Sequence, residues 1–170
     1  MKNKKNRIKN HYILILGICV LIGCAIFSAI SVFNKVEKDD VNKSPLATNE
    51  ILYTDIKNAL KEINADTFLV ISYTGDIQVH KNEKEIEKYL KKINLLDNVM
   101  YLDMKDYLND ENYLDSLNKV LKLKENSEIR SLPAVVFYKN GVVEYVSNSK
   151  KGYLEKSVFK NYIDQNGLAS

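Results

Sequence analysis

The chain has 170 residues, 45% of them hydrophobic, and a formal net charge of +3 at pH 7. Residues 1–33 hold five basic residues and no acid, so residues 34–170 carry 20 basic against 22 acidic residues, a net charge of −2. The positive balance therefore belongs to the amino terminus. We therefore expect no basic surface on the remaining chain and no nucleic-acid partner.

The cysteines and histidines exclude several kinds of site. Both cysteines, Cys19 and Cys24, lie within residues 13–33, so residues 34–170 contain no thiol. Disulfides, thiolate metal sites and dithiol redox chemistry are therefore not expected in that part of the chain. The only histidines are His11 and His80, which excludes a metal site built from several histidines. No cofactor is expected.

The amino-terminal residues predict a membrane anchor. Residues 1–12 form a basic arm, and residues 13–33 follow as 21 residues without a charge. A helix of that length spans about 30 Å, enough to cross the hydrocarbon core of a bilayer. The basic flank predicts a cytoplasmic amino terminus, so we expect a single-pass protein of the cell membrane whose remaining residues are extracytoplasmic.

Two other interpretations of this segment stay open. The run SAIS at 28–31 is a loose match to the cleavage site of a secretory signal peptide. The run LIGC at 21–24 resembles a bacterial lipobox, which makes Cys24 a candidate for lipidation and for an anchor of its own. The residues after Cys24 stay apolar, whereas mature lipoproteins usually turn polar at once. All three interpretations export the domain.

The next elements are a tether, a helix and a strand. Residues 34–48 are polar, contain Pro45 and have little to bury, which predicts an extracytoplasmic tether. A cap at Thr48–Asn49 and apolar residues at helical spacing predict a helix over residues 49–63. The run TFLVISY at 67–73 lacks alternation, which predicts an interior strand covered on both faces. A polar connection leads to a helix over residues 82–95, with its Glu and Lys side chains on a solvated face.

The second half of the domain is predicted to contain two further strands and then a third that pairs with the second as a β-hairpin. We expect a strand over residues 98–104, a helix over 109–123 and a loop over 124–132. The run AVVFY at 134–138 predicts a buried strand that follows Pro133 and places Phe137 at the centre of the sheet. Asn140-Gly141 predicts a type I′ hairpin, and residues 142–146 return as the antiparallel partner. A final amphipathic helix is expected over residues 153–165.

The order of these elements predicts the fold class. Alternating helices and strands require right-handed parallel crossovers, whereas the Asn-Gly hairpin requires an antiparallel edge. The sequence therefore predicts an α/β domain over residues 49–170, built on a mixed four-stranded sheet with helices on both faces.

The run IRSLPAVVFYKNG at 129–141, following this order of elements, resembles the proline-containing segment of the thioredoxin family. The resemblance covers about residues 50–166. The chain resembles in particular membrane-tethered thioredoxin-like proteins of Gram-positive bacteria, including the bacteriocin-transport accessory type and related uncharacterised domains. It implies a thioredoxin-like fold in which the Leu132–Pro133 peptide bond is cis and lies beside the active-site position.

The Cys-x-x-Cys motif of that family is missing. In the family the motif lies between the first central strand and the next helix, where the helix dipole lowers the pKa of the first thiol. Depending on the alignment, its two positions fall near Asp76 and Val79 or near His80 and Glu83. Neither placement contains a thiol, so only Pro133 of the family's functional residues is carried over.

Three hypotheses about function follow. The first is a redox-inactive binding or accessory module that engages an exported peptide or a membrane partner. The second is a thiol-disulfide accessory that acts with cysteines supplied by a partner. The third is an exported enzyme that uses His80 with Asp76 or Glu83. No complete catalytic constellation is present, so the first is preferred. Its candidate peptide-binding cleft consists of Ser131, Leu132, Pro133, Thr74, Asp76 and His80, although Thr74 and Asp76 are also typical turn and cap residues.

Overall fold

The computed structural model describes residues 41–168 together with Cys24. The predicted basic arm, the predicted membrane segment apart from Cys24, and residues 34–40 of the predicted tether lie outside the described residues. Cys24 is an exposed, free cysteine. Among the helices of the described residues, none has both the length and the hydropathy needed to cross a membrane.

The described residues form a five-stranded mixed sheet. The strands are β1 (Glu50–Ile51), β2 (Thr67–Ser72), β3 (Val99–Asp103), β4 (Ala134–Lys139) and β5 (Val142–Asn148), and their order across the sheet is β1-β3-β2-β4-β5. β3 pairs in parallel with β1 and β2, whereas β4 pairs antiparallel with β2 and β5. The helices are α1 (Ile56–Glu62), α2 (Ile77–Lys92), α3 (Tyr113–Leu121) and α4 (Lys156–Asn166).

The mixed sheet is confirmed, but the prediction of four strands is wrong. The backbone of residues 49–51 joins the sheet: the N–H of Tyr101 donates to the carbonyl of Asn49 at 2.9 Å, and Glu50 and Ile51 pair with β3. A helix cannot start at Asn49 because these backbone groups serve the sheet. The first α-helix begins seven residues later, at Ile56, directly after a 3-10 turn at Tyr53–Asp55.

Helices cover both faces of the sheet, as predicted. On the first face, α2 and α4 pack over side chains that include Phe68, Tyr101 and Phe137. On the second face, α1 and α3 pack over Leu69 and Leu102. β2 contributes alternate side chains to both cores, which explains why its sequence shows no alternation.

The hairpin has the predicted geometry. Lys139 pairs with Val142, so the turn contains only Asn140 and Gly141, whose φ angles are 50° and 77°. Both residues are left-handed, as a type I′ turn requires. A Cβ atom on Gly141 would lie 2.6 Å from the carbonyl oxygen of Ile63, so glycine is needed here for space as well.

Phe137 lies on an interior strand, as predicted, although the middle strand of the sheet is β2. It is fully buried on β4, which has a strand on either side. Its ring stacks on Tyr162 with centroids 4.1 Å apart and meets Phe68 and Phe159 edge-on. The cis peptide bond at Leu132–Pro133 is also confirmed.

The described part of the predicted tether packs on the domain. Residues 41–48 bury Val41, Ser44 and Leu46, and Leu46 belongs to the core of the first face. The N–H of Gly75 donates to the carbonyl of Val41 at 2.8 Å. The folded part of the chain therefore starts before residue 49.

Candidate functional site

The sheet register brings the two halves of the predicted cleft together. β2 and β4 are antiparallel with Ile71 opposite Ala134, so the end of β2 lies beside the start of β4. Tyr73, which follows β2, packs in the same apolar cluster as Leu132. Below, the candidate cleft means residues 73–80 on one side and residues 130–133 on the other.

Asp76 begins the helix on the first side of the cleft. Its Oδ1 atom accepts hydrogen bonds from the N–H groups of Gln78 at 2.7 Å and Val79 at 2.8 Å. This N-cap starts α2 at Ile77, five residues earlier than predicted. Val79 is a buried apolar residue.

Thr74 connects the ends of two strands. Its Oγ1 donates to Oδ2 of Asp103 at 2.7 Å, and its N–H donates to Oδ1 at 3.2 Å. The same Oδ1 atom accepts from the N–H of Lys105 at 2.9 Å. Thr74 therefore holds the β2–α2 loop against the end of β3, and its hydroxyl is already engaged.

The structure does not bring His80 into hydrogen-bond contact with the carboxyl group of Asp76 or Glu83. The Asp76 carboxylate caps α2, and the Glu83 carboxyl accepts from two serine hydroxyls. The Nδ1 atom of His80 is buried and has no hydrogen-bond partner among the described residues. His80 therefore does not form, with either carboxyl group, the acid–base pair that the enzyme hypothesis requires.

On the other side of the cleft, Asn148 holds the loop before Pro133. Its Oδ1 atom accepts from the N–H groups of Arg130 at 2.8 Å and Ser131 at 3.4 Å, and its Nδ2 donates to the carbonyl of Glu128 at 3.0 Å. The Ser131 hydroxyl donates to the carbonyl of Ser149 at 2.7 Å. Sequence analysis did not single out Asn148, since nothing in the sequence places it opposite this loop.

Leu132 is the exception in this loop. Its N–H and C=O groups form no hydrogen bond with other described residues, and the residue as a whole is 9% exposed. Pro133, the next residue, is buried, and its carbonyl accepts from the N–H of Ser149 at 3.0 Å. At the start of α2, Ile77 leaves 49% of its surface exposed. The cleft thus presents one free peptide edge and one exposed apolar side chain.

A buried carboxyl group lies beneath the first side of the cleft. Glu83 is 2% exposed, and its two oxygens accept from the hydroxyls of Ser44 at 2.6 Å and Ser72 at 2.5 Å. Burial raises the pKa of Glu83 to about 7, and the charge of Asp103 adds to this effect while the serine hydrogen bonds oppose it. Burial, assisted by the charge of Glu83, also raises the pKa of Tyr101.

The position of Glu83 corrects the prediction that all Glu and Lys side chains of this helix face solvent. Val79, Glu83, Ile86 and Leu90 are the buried residues of α2. Their spacing of four, three and four residues is that of one helix face. This signal was present in the sequence, and extending the apolar stripe backwards from Ile86 would have found it.

No protein-family model matches the chain, and no curated protein matches it. Among solved structures, the chain is similar to oxidized thioredoxin O1 from Arabidopsis thaliana, with 15% identity, 69% of this chain and 97% of that chain covered, and a TM-score of 0.46. It is also similar to oxidized mitochondrial thioredoxin 3 from Saccharomyces cerevisiae, with 14% identity, 72% and 99% coverage, and a TM-score of 0.44. These likenesses concern the fold alone. The chain itself has a mixed five-stranded sheet flanked by helices, with cis-Pro133 directly before β4.

Proposed function

We propose that this chain is a redox-inactive, membrane-anchored extracytoplasmic module that binds an extended segment of an exported or membrane protein at the candidate cleft. The observation that carries the proposal is that the backbone N–H and C=O groups of Leu132 have no hydrogen-bond partner among the described residues. They lie beside the start of α2, where Asp76 and Val79 stand and no thiol is present. An extended partner backbone supplies one acceptor for the Leu132 N–H and one donor for its C=O.

The backbone around Leu132 is held in place before any partner binds. Asn148 and Ser149 fix the backbone on both sides of Leu132, so little ordering of the loop is required when a partner binds. Burial of the exposed surface of Ile77 adds an apolar contact at the start of α2. The membrane anchor in this proposal rests on the charge pattern of residues 1–33.

The redox-inactive part of the proposal rests on the chemistry of disulfide exchange. A thiolate must attack one sulfur of the disulfide, and a second thiol must resolve the mixed disulfide. Residues 34–170 contain no cysteine, and an imidazole such as His80 has no sulfur to exchange. Purified residues 34–170 should therefore not accelerate the reduction of insulin by dithiothreitol. Measurable turnover would contradict the proposal.

Site-specific photo-crosslinking in intact cells tests the binding edge. Ile77 is a better position for the photoreactive residue than Leu132, because replacing the buried Leu132 side chain disturbs the core. We expect a discrete adduct from position 77. Leu52 is the matched control, since it is 65% exposed and follows β1, which β3 and β2 separate from β4. The same adducts from both positions, or none from position 77, would overturn the assignment.

A charge substitution gives a second test in the same cells. With the photoreactive residue at the exposed Arg130, the added variant Ile77→Asp should lose the adduct because the apolar contact is replaced by a carboxylate. An acid in the first turn of a helix is favourable, so α2 should stay folded. Leu52→Asp should leave the adduct unchanged. Retention of the adduct in Ile77→Asp would show that the partner does not use the start of α2.

A further inference from the structure

A second groove lies at the other end of the sheet from the candidate cleft. It has a volume of about 890 Å³ and is bounded by α1, by the end of α3 with the residues after it, and by the β4–β5 hairpin. Tyr138 in its lining pairs with Thr67, the first residue of β2, whereas the cleft lies beyond the last residue of β2. The two sites share no residue.

The groove concentrates positive charge, which corrects the expectation that residues 34–170 have no basic surface. One acidic residue, Glu144, lies in its lining together with five lysines, which gives 5 − 1 = +4, although residues 34–170 as a whole carry −2. Within the described part of the chain, none of the five forms an ion pair with a carboxylate. The five are Lys57, Lys61, Lys119, Lys122 and Lys124.

Helix dipoles account for only part of this cluster. Lys61 and Lys119 lie in the last turns of α1 and α3, where a cation is favourable. Lys57 lies in the first turn of α1, where the dipole disfavours a cation, and Lys124 lies beyond α3. Collecting like charges around one groove costs free energy unless an anion compensates them.

The rest of the groove suits a polypeptide. Its lining includes apolar side chains from all three walls, and the hydroxyl of Tyr138 is buried there without a hydrogen-bond partner among the described residues. β5, which lines the groove through Val142, Val143 and Glu144, is an edge strand of the described sheet. Its outer edge offers alternating N–H and C=O groups for an added strand.

We propose that this groove binds an acidic polypeptide segment in extended conformation, which pairs with the open edge of β5 and places its carboxylates between the lysines. The backbone edge favours a polypeptide over an anionic lipid, since a lipid cannot use a row of alternating donors and acceptors. The net negative charge of residues 34–170 disfavours a nucleic acid, whose long anionic backbone extends beyond one groove.

Fluorescence anisotropy with the full chain in non-ionic detergent tests this proposal. The probe is a short labelled peptide of Glu and Val, and its control has Gln in place of every Glu. The acidic peptide should bind at least about tenfold more tightly, and its affinity should fall as salt is raised. Equal affinities for the two peptides would overturn the proposal. Binding to micelles doped with anionic phospholipid but not to the peptide would also overturn it.

Charge reversal locates the site. Lys57→Glu combined with Lys124→Glu should weaken binding of the acidic peptide by about tenfold or more, and the new acid at 57 suits the start of α1. Lys84→Glu combined with Lys156→Glu makes the same change in net charge at exposed positions outside the groove and should leave the affinity within about twofold. Equal losses in the two pairs would show a general charge effect and contradict the assignment.

Two further measurements keep the outcome interpretable. If thermal unfolding shows that the Glu variants are not folded, Lys57→Gln with Lys124→Gln provides the milder change, and a smaller but measurable loss of affinity is expected. Ile77→Asp, which tests the candidate cleft, should not alter binding of this peptide. Loss of peptide binding in Ile77→Asp would assign the peptide to the cleft and overturn the second groove.

Discussion

The two faces of the sheet bury different chemistry. The second face packs α1 and α3 over a core of apolar side chains and Tyr138. The first face has an aromatic cluster around Phe137, but it also encloses the carboxyl group of Glu83 with the hydroxyls of Ser44 and Ser72. A charged carboxylate in such surroundings costs free energy. Glu83 must therefore either be protonated or be stabilised by the serine hydrogen bonds.

This difference shows where the stability of the domain depends on pH and on residues 41–48. Ser44 belongs to that stretch, and its Oγ also accepts from the N–H of Leu46 at 3.1 Å. Val41 in turn contacts Gly75 in the loop of the candidate cleft. Ser44 therefore links the Glu83 carboxyl group to residues 41–48, and Val41 links the same residues to one side of the cleft.

The largest effect is expected for the aromatic part of the first face. Phe137→Ala removes a fully buried ring and should lower the free energy of unfolding by about 3–5 kcal/mol. Leu69→Ala on the second face is the matched truncation, with an expected loss of about 2–5 kcal/mol. Denaturant unfolding measures both. A loss below about 1 kcal/mol for Phe137→Ala would mean that its ring is not part of the core.

Glu83 should make the first face sensitive to pH. Its folded pKa of about 7 exceeds the ordinary value of 4.5, so the folded state binds the proton more tightly than the unfolded state. The corresponding stabilisation is complete below pH 4.5 and is lost as pH rises to about 7, by about 3 kcal/mol.

Glu83→Gln should remove this loss, because a glutamine side chain does not titrate. The difference in unfolding free energy between variant and wild type should therefore change between pH 4.5 and about pH 7 and stay constant above that range. Denaturant unfolding across this range measures it. Leu69→Ala should keep the wild-type profile. A wild type and a Glu83→Gln variant with parallel pH profiles would place the titrating group elsewhere.

Ser44→Ala sharpens the same comparison with a smaller effect. When Glu83 is ionised, the variant loses a hydrogen bond to a charged group, worth about 1.5–3 kcal/mol. When Glu83 is protonated, the loss should be nearer to that of a neutral bond, about 1 kcal/mol. The destabilisation should therefore be larger at pH 8 than at pH 5. An equal loss at both values would show that the Ser44 bond does not distinguish the two states of Glu83.

The smallest effect is expected for Asp76, outside both cores. Asp76→Ala removes the cap of α2 and should cost about 1 kcal/mol, with no dependence on the state of Glu83. Asp76→Asn keeps an accepting oxygen and should restore most of the loss. Thermal unfolding of the two variants measures this structural role, and crosslinking from position 77 measures a functional one. A variant that keeps its stability but loses the crosslink would show that Asp76 acts in binding and not as a cap.

Part of this protein was determined by local sequence. The positive φ angles at Asn140 and Gly141, the buried strand after Pro133 and the burial of Phe137 each follow from residues that are neighbours in the chain. Local conformational preference and hydrophobic pattern are sufficient for such features. The absence of a dithiol from residues 34–170 is likewise a property of the sequence alone.

Other features were decided only by tertiary structure. Residues 49–51 form a strand because β3 presents an open edge, although their local signals predicted a helix cap. Asn148 reaches the loop before Pro133, and Ser44 reaches Glu83 across 39 residues of chain. The sequence specified which groups need partners, but the partners are chosen by contacts between distant segments, which local preferences do not encode.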